Sequence, residues 1–66
     1  MITIQINKEI FSENAIMQAI YDYKTYAKII AKNKKKIVEL TFFKCKYDEK
    51  ITVKEFQNYM IGLENR

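Results

Sequence analysis

The sequence predicts a small α+β domain with the element order β-α-β-β-α. Three observations predict it. Ile2, Ile4 and Ile6 alternate with polar residues at the start of the chain. Two further alternating runs flank the polar turn Asn33-Lys34-Lys35. An amphipathic stretch from Ile51 to Leu63 closes the chain. A short helix is marginal alone in water, so the last stretch needs a surface to cover, and the strands before it supply one. Three strands with two helices on one face satisfy every apolar stripe. With strand three between the other two, the order is 1-3-2 and all pairing is antiparallel. The alternative sets strand one beside strand two. The order 1-3-2 is preferred.

Each element has a local reason. The first strand turns Ile2, Ile4 and Ile6 inward and Thr3, Gln5 and Asn7 outward. Ser12 is the expected cap of the first helix, with Phe11 and Ile16 placed as a hydrophobic staple. Ile16, Ala19, Ile20 and Tyr23 recur at helical spacing, Ala15 and Met17 widen the stripe, and Lys24 is expected to meet the negative end of the helix dipole. The second strand is read from Tyr26 to Lys32, with Ala27, Ile29 and Ala31 on one side. The third is read from Lys36 to Lys44, with Val38, Leu40 and Phe42 inward. The short connection makes them a hairpin. In the last helix Thr52 and Glu55 have the spacing of a capping box, Ile51 and Phe56 that of a staple, and Phe56, Tyr59, Met60 and Leu63 form one face.

Sixty-six residues are read as one domain, residues 1–66, without a linker, since there is one glycine and no proline. There is no histidine and only one cysteine, which excludes Ser-His-Asp chemistry, histidine acid–base catalysis and the usual Cys/His zinc sites. No cofactor and no catalytic residue is expected, and an enzyme acting alone is the least expected class. A lone free thiol suits a reducing cytosol, so a cytoplasmic location is expected. The lysine neighbours of Cys45 are expected to lower its pKa. The first residues do not resemble a signal peptide, and no apolar run approaches the roughly 20 residues of a membrane span.

The net charge of +4 suggests an acidic partner, a nucleic acid or an acidic peptide. The open face of the sheet, with Tyr26, Lys28, Ile30, Ile37 and Phe43, is the candidate partner surface, for a homodimer or another protein. The two edge strands are candidates for pairing with an added peptide strand. Lys32, Lys34, Lys35 and Lys36 at the hairpin tip are candidate anion contacts, the route by which a small basic nucleic-acid-binding or phage-type regulator would act. A homo-oligomeric structural protein is a third reading.

Two stretches carry a family resemblance. Glu9-Ile10-Phe11-Ser12-Glu13-Asn14-Ala15-Ile16, with Ala19 and Tyr21, resembles the Ile-Tyr-Ser-x-x-Ala-(aliphatic)-x-x-Ala-x-Tyr segment of the small His-Xaa-Ser system protein HxsD. Glu55-Phe56-Gln57-Asn58, followed by Leu63-Glu64-Asn65-Arg66, resembles that family's Glu-Phe-x-Asn helix and arginine-bearing tail. The loop from Lys44 to Lys50 departs from the pattern, having neither proline nor glycine. The resemblance implies a non-catalytic accessory protein of a radical S-adenosylmethionine system that modifies a ribosomally made peptide. Its implied partners are the maturase or the precursor peptide. The iron–sulfur cluster would lie elsewhere, since it needs several cysteine ligands.

Overall fold

The computed structural model describes residues 1–65; Arg66, the arginine of the tail resemblance, lies outside them. The elements are β1 (Ile2–Asn7), α1 (Glu13–Asp22), β2 (Lys28–Asn33), β3 (Ile37–Phe43) and α2 (Glu49–Glu64). They form an α+β fold with sheet order β1-β3-β2. β1 runs antiparallel to β3, with Ile4 opposite Leu40, and β2 runs antiparallel to β3, with Ala31 also opposite Leu40. The physical reason for a central β3 is its inward row. Val38, Leu40 and Phe42 are all buried, the last two completely, and a strand is shielded that fully only with a neighbour on each side.

The core sits between that sheet face and both helices. Ile16 and Ala19 of α1 and Val53, Phe56 and Met60 of α2 pack with Ile6, Val38, Leu40 and Phe42. Phe56 meets the edge of Phe42 at a centroid distance of 5.1 Å and of Tyr23 at 5.3 Å.

α1 starts as expected: Ser12 Oγ accepts from the Ala15 N–H at 3.2 Å, and Phe11 and Ile16 both pack on the core. It ends earlier than expected, at Asp22. Tyr23 closes it by donating its N–H to the Ala19 carbonyl, and the Tyr23 carbonyl then accepts from Tyr26 and Ala27. That turn places Lys24 past the helix, over the Tyr21 ring rather than on the last carbonyls. It also delays β2 from Tyr26 to Lys28. Met17 does not join the buried stripe. It is 63% exposed, because Ala15, Ile16 and Ala19 already fill the inward face and Met17 is turned about 100° from Ile16.

α2 starts a full turn earlier than the capping box implied. Asp48 is the cap, its carboxylate accepting from the Ile51 N–H at 3.0 Å. Thr52 therefore lies inside the helix, 5% exposed, with its hydroxyl donating to the Asp48 carbonyl at 2.8 Å. Ile51, the expected staple residue, is 57% exposed. Asp48→Ala is expected to cost about 1 kcal/mol in urea unfolding, and Glu55→Ala less than about 0.5 kcal/mol. The opposite ranking would restore Thr52 and Glu55 as the start signal.

Candidate functional site

On the open face, cross-strand rows follow from the register. Lys28 lies opposite Phe43, Ile30 opposite Thr41, which faces Thr3 on its other side, and Lys32 opposite Glu39, which faces Gln5 on its other side. Ile37 and Phe43 stand six residues apart on β3, about 20 Å, with Glu39 and Thr41 between them. The Thr3 and Thr41 hydroxyls are hydrogen-bonded at 3.1 Å, and the Lys28 ammonium lies 5.7 Å from the Phe43 ring centre. The expected continuous apolar patch is therefore divided. Ile30 and Phe43 are diagonal neighbours, and Ile37 is isolated beyond a polar row. Tyr26 is not on this face. It precedes β2, and its ring meets Tyr23 at 5.4 Å and Tyr47 at 6.3 Å, at the end of the sheet.

The hairpin tip is less positive than its sequence. Lys34 pairs with Glu39 at 3.3 Å, the Lys8 ammonium donates to the Lys34 carbonyl, and Lys32 lies opposite Glu39 in the ladder. Lys35 and Lys36 remain exposed in the turn. No aromatic ring lies within the turn to stack a base.

The two sheet edges differ. The β1 edge is closed at its far end by its own turn, where the Asn7 carbonyl accepts from Ile10 and Phe11. A hollow between β1 and α2 has a mixed wall, with Ile6, Ile10, Phe11, Met60 and Ile61 beside the amides of Gln5, Gln57 and Asn58 and the ammonium of Lys54. Among the described residues, no such closure is found on the β2 edge. Lys34 donates to the Ile37 carbonyl at 2.9 Å, and bonded pairs alternate in an antiparallel ladder. Lys28, Ile30 and Lys32 thus bond to β3, and Ile29, Ala31 and Asn33 turn their N–H and C=O groups outward. Beside them runs an apolar trough of about 110 Å³, lined chiefly by Ile16, Met17 and Ile20 of α1 and by Ala31 and Val38 of the sheet. It exists because the inward row of β2 ends in a small residue and a polar one, Ala31 and Asn33, leaving the flank of α1 uncovered.

A second hollow of about 370 Å³ opens at the start of β2, where Lys24, Thr25, Tyr26, Lys28 and Lys44 converge with Ile20 and Ile29. Lys44 has φ 53°, the left-handed region that favours glycine. Behind it stands an aromatic wall. Tyr23 touches Phe56, Tyr26 and Tyr59, and burial, then the negative charge of Glu55, pushes its hydroxyl pKa up. Asp22 accepts from the Tyr59 hydroxyl. The Cys45 thiol is pushed up as well, opposite to expectation. Burial is the larger cause and Glu49 adds to it, so the lysines adjacent in sequence do not activate it.

Of the expected partner surface, the structure brings together Lys28, Ile30 and Phe43 and separates Ile37 and Tyr26. The trough and the lysine hollow were missed. No single stretch signals either, and Met17, which lines the trough, reads in the sequence as part of the helical stripe. No helix among the described residues is long and apolar enough to cross a membrane. The fold is a small α+β domain with a three-stranded sheet, β1 and β2 forming its two edges. Compared with known proteins, the chain matches no family model, no curated protein and no solved structure.

Proposed function

We propose that this chain is a non-catalytic peptide-binding module that takes an extended peptide as a fourth strand on β2. The observation that carries this reading is the coincidence of two features. The outward N–H and C=O groups of Ile29, Ala31 and Asn33 lie along the same edge as the apolar trough against α1. Main-chain pairing supplies affinity with little dependence on sequence, and alternate peptide side chains would enter the trough. Each such bond contributes about 0.5–1.5 kcal/mol net, and ordering the peptide offsets part of the sum. A dissociation constant on the order of 10–100 µM is the expected scale. The resemblance to HxsD supports a cytoplasmic precursor peptide of a radical S-adenosylmethionine system as the natural occupant, with the maturase acting on the peptide so held. A half-buried thiol with no second cysteine fits a reducing compartment.

The test is amide hydrogen exchange by NMR during titration with a blocked peptide of about seven alternating Val and Thr residues. Protection is expected to rise at Ile29, Ala31 and Asn33. Protection rising at Thr3 and Gln5 instead would move the site to β1, and none at either edge would remove strand addition.

A further inference from the structure

We infer that the peptide held on β2 carries an acidic side chain, bound in the lysine-lined hollow at the start of that strand. This rests on the strand-addition reading above and specifies its ligand. Ile20 borders both the trough and the hollow, so the two lie next to each other along one edge. A strand laid on β2 with an apolar residue beside Met17 and Ala31 would pass Lys28 and Lys24 roughly three to five residues later.

Charge decides what that end of the peptide carries. Lys24, Lys28 and Lys44 line the hollow with no acidic residue among them, and the ion pairs of the described residues involve none of the three. The Lys24 ammonium rests 4.3 Å from the Tyr21 ring centre and that of Lys28 lies 5.7 Å from Phe43. Such exposed cation–π contacts are weak enough to yield to a carboxylate. Lys44 adds a second argument. Its left-handed backbone would suit glycine or asparagine better, yet a lysine stands there, the third to line the same hollow. The Thr25 hydroxyl offers a further donor. At the hairpin tip, where the sequence concentrates its lysines, Lys34 already pairs with Glu39.

The test uses the whole chain and blocked probe peptides of about seven alternating Val and Thr residues. One pair carries two aspartates at the N-terminal or the C-terminal end; the matching pair carries asparagines. In one orientation the aspartate probe is expected to bind about five- to tenfold tighter than its asparagine counterpart at low salt. That lead should shrink at roughly 0.5 M NaCl. The combined variant Lys24→Gln, Lys28→Gln and Lys44→Gln should erase the lead, so that the aspartate and asparagine probes bind it equally. Equal binding of aspartate and asparagine probes would overturn the acidic ligand while strand addition stands. A lead that survives in the triple variant would overturn its placement. Failure of every probe to bind would overturn both.

Discussion

Ala31→Pro is expected to weaken peptide binding about ten- to hundredfold while the domain stays folded. The direction of one N–H decides this. Ala31 lies opposite Leu40 in the alternate set of the β2–β3 ladder, so its N–H faces away from the sheet. Proline removes a donor that the fold does not use, and edge strands tolerate it for that reason. Ile30, the residue before it, is already extended, as proline requires. A bound peptide would lose that hydrogen bond and be left with an unpaired carbonyl, and the pyrrolidine ring would stand in its path. Ile30→Pro is the contrasting variant: its N–H bonds to β3, so it should destabilise by about 3 kcal/mol or more. Gln5→Pro, on the other edge, should leave peptide affinity unchanged. Titration calorimetry with the Val/Thr probe reads all three, with circular dichroism to check the fold. A probe methylated at the amides of its pairing face tests the same point without altering the protein. Unchanged affinity for both the proline variant and the methylated probe would end the strand-addition reading.

The fold was legible where one element carried its own signal. Val38, Leu40 and Phe42 alternate with partly polar neighbours, and they are the buried row of β3. Ser12 sits directly before a helical stripe, and it caps α1. Where two signals competed, sequence reasoning chose wrongly. Asp48 and Thr52 are both good caps four residues apart. The structure uses Asp48, gaining a turn of helix, and Thr52 is absorbed into the core side. Tyr26 continues the alternation of β2 perfectly well on paper, but the Tyr23 carbonyl captures its N–H and turns the chain first. The trough and the lysine hollow were not legible because no single stretch contains them. The trough depends on Ala31 being small opposite the flank of α1. The hollow gathers residues 24–28 and Lys44 from separate elements. A void is a property of several elements at once, and local periodicity carries no trace of it.

Phe56→Ala is expected to bring the largest loss of stability of any single change in α2, about 3–5 kcal/mol. Phe56 is completely buried. Its ring is the junction where α2, the inward row of β3 and the end of α1 meet, through Phe42 at 5.1 Å and Tyr23 at 5.3 Å. Neither ring can move to fill the space without losing its own packing, so a cavity would remain. A domain of this size has a total stability of about 3–10 kcal/mol, so the variant should show no folded baseline or a midpoint lowered by about 3 M urea. Phe56→Leu, which keeps most of the volume, should cost less than about 1.5 kcal/mol. Met17→Ala separates the scaffold from the site. Met17 is exposed at the rim of the trough, so the change should alter stability by less than about 0.5 kcal/mol. It should still weaken a peptide whose side chain packs against α1. If Phe56→Ala unfolds at the same urea concentration as Met17→Ala, the aromatic junction does not hold the helices on the sheet, and the position of α1 beside β2 needs another cause.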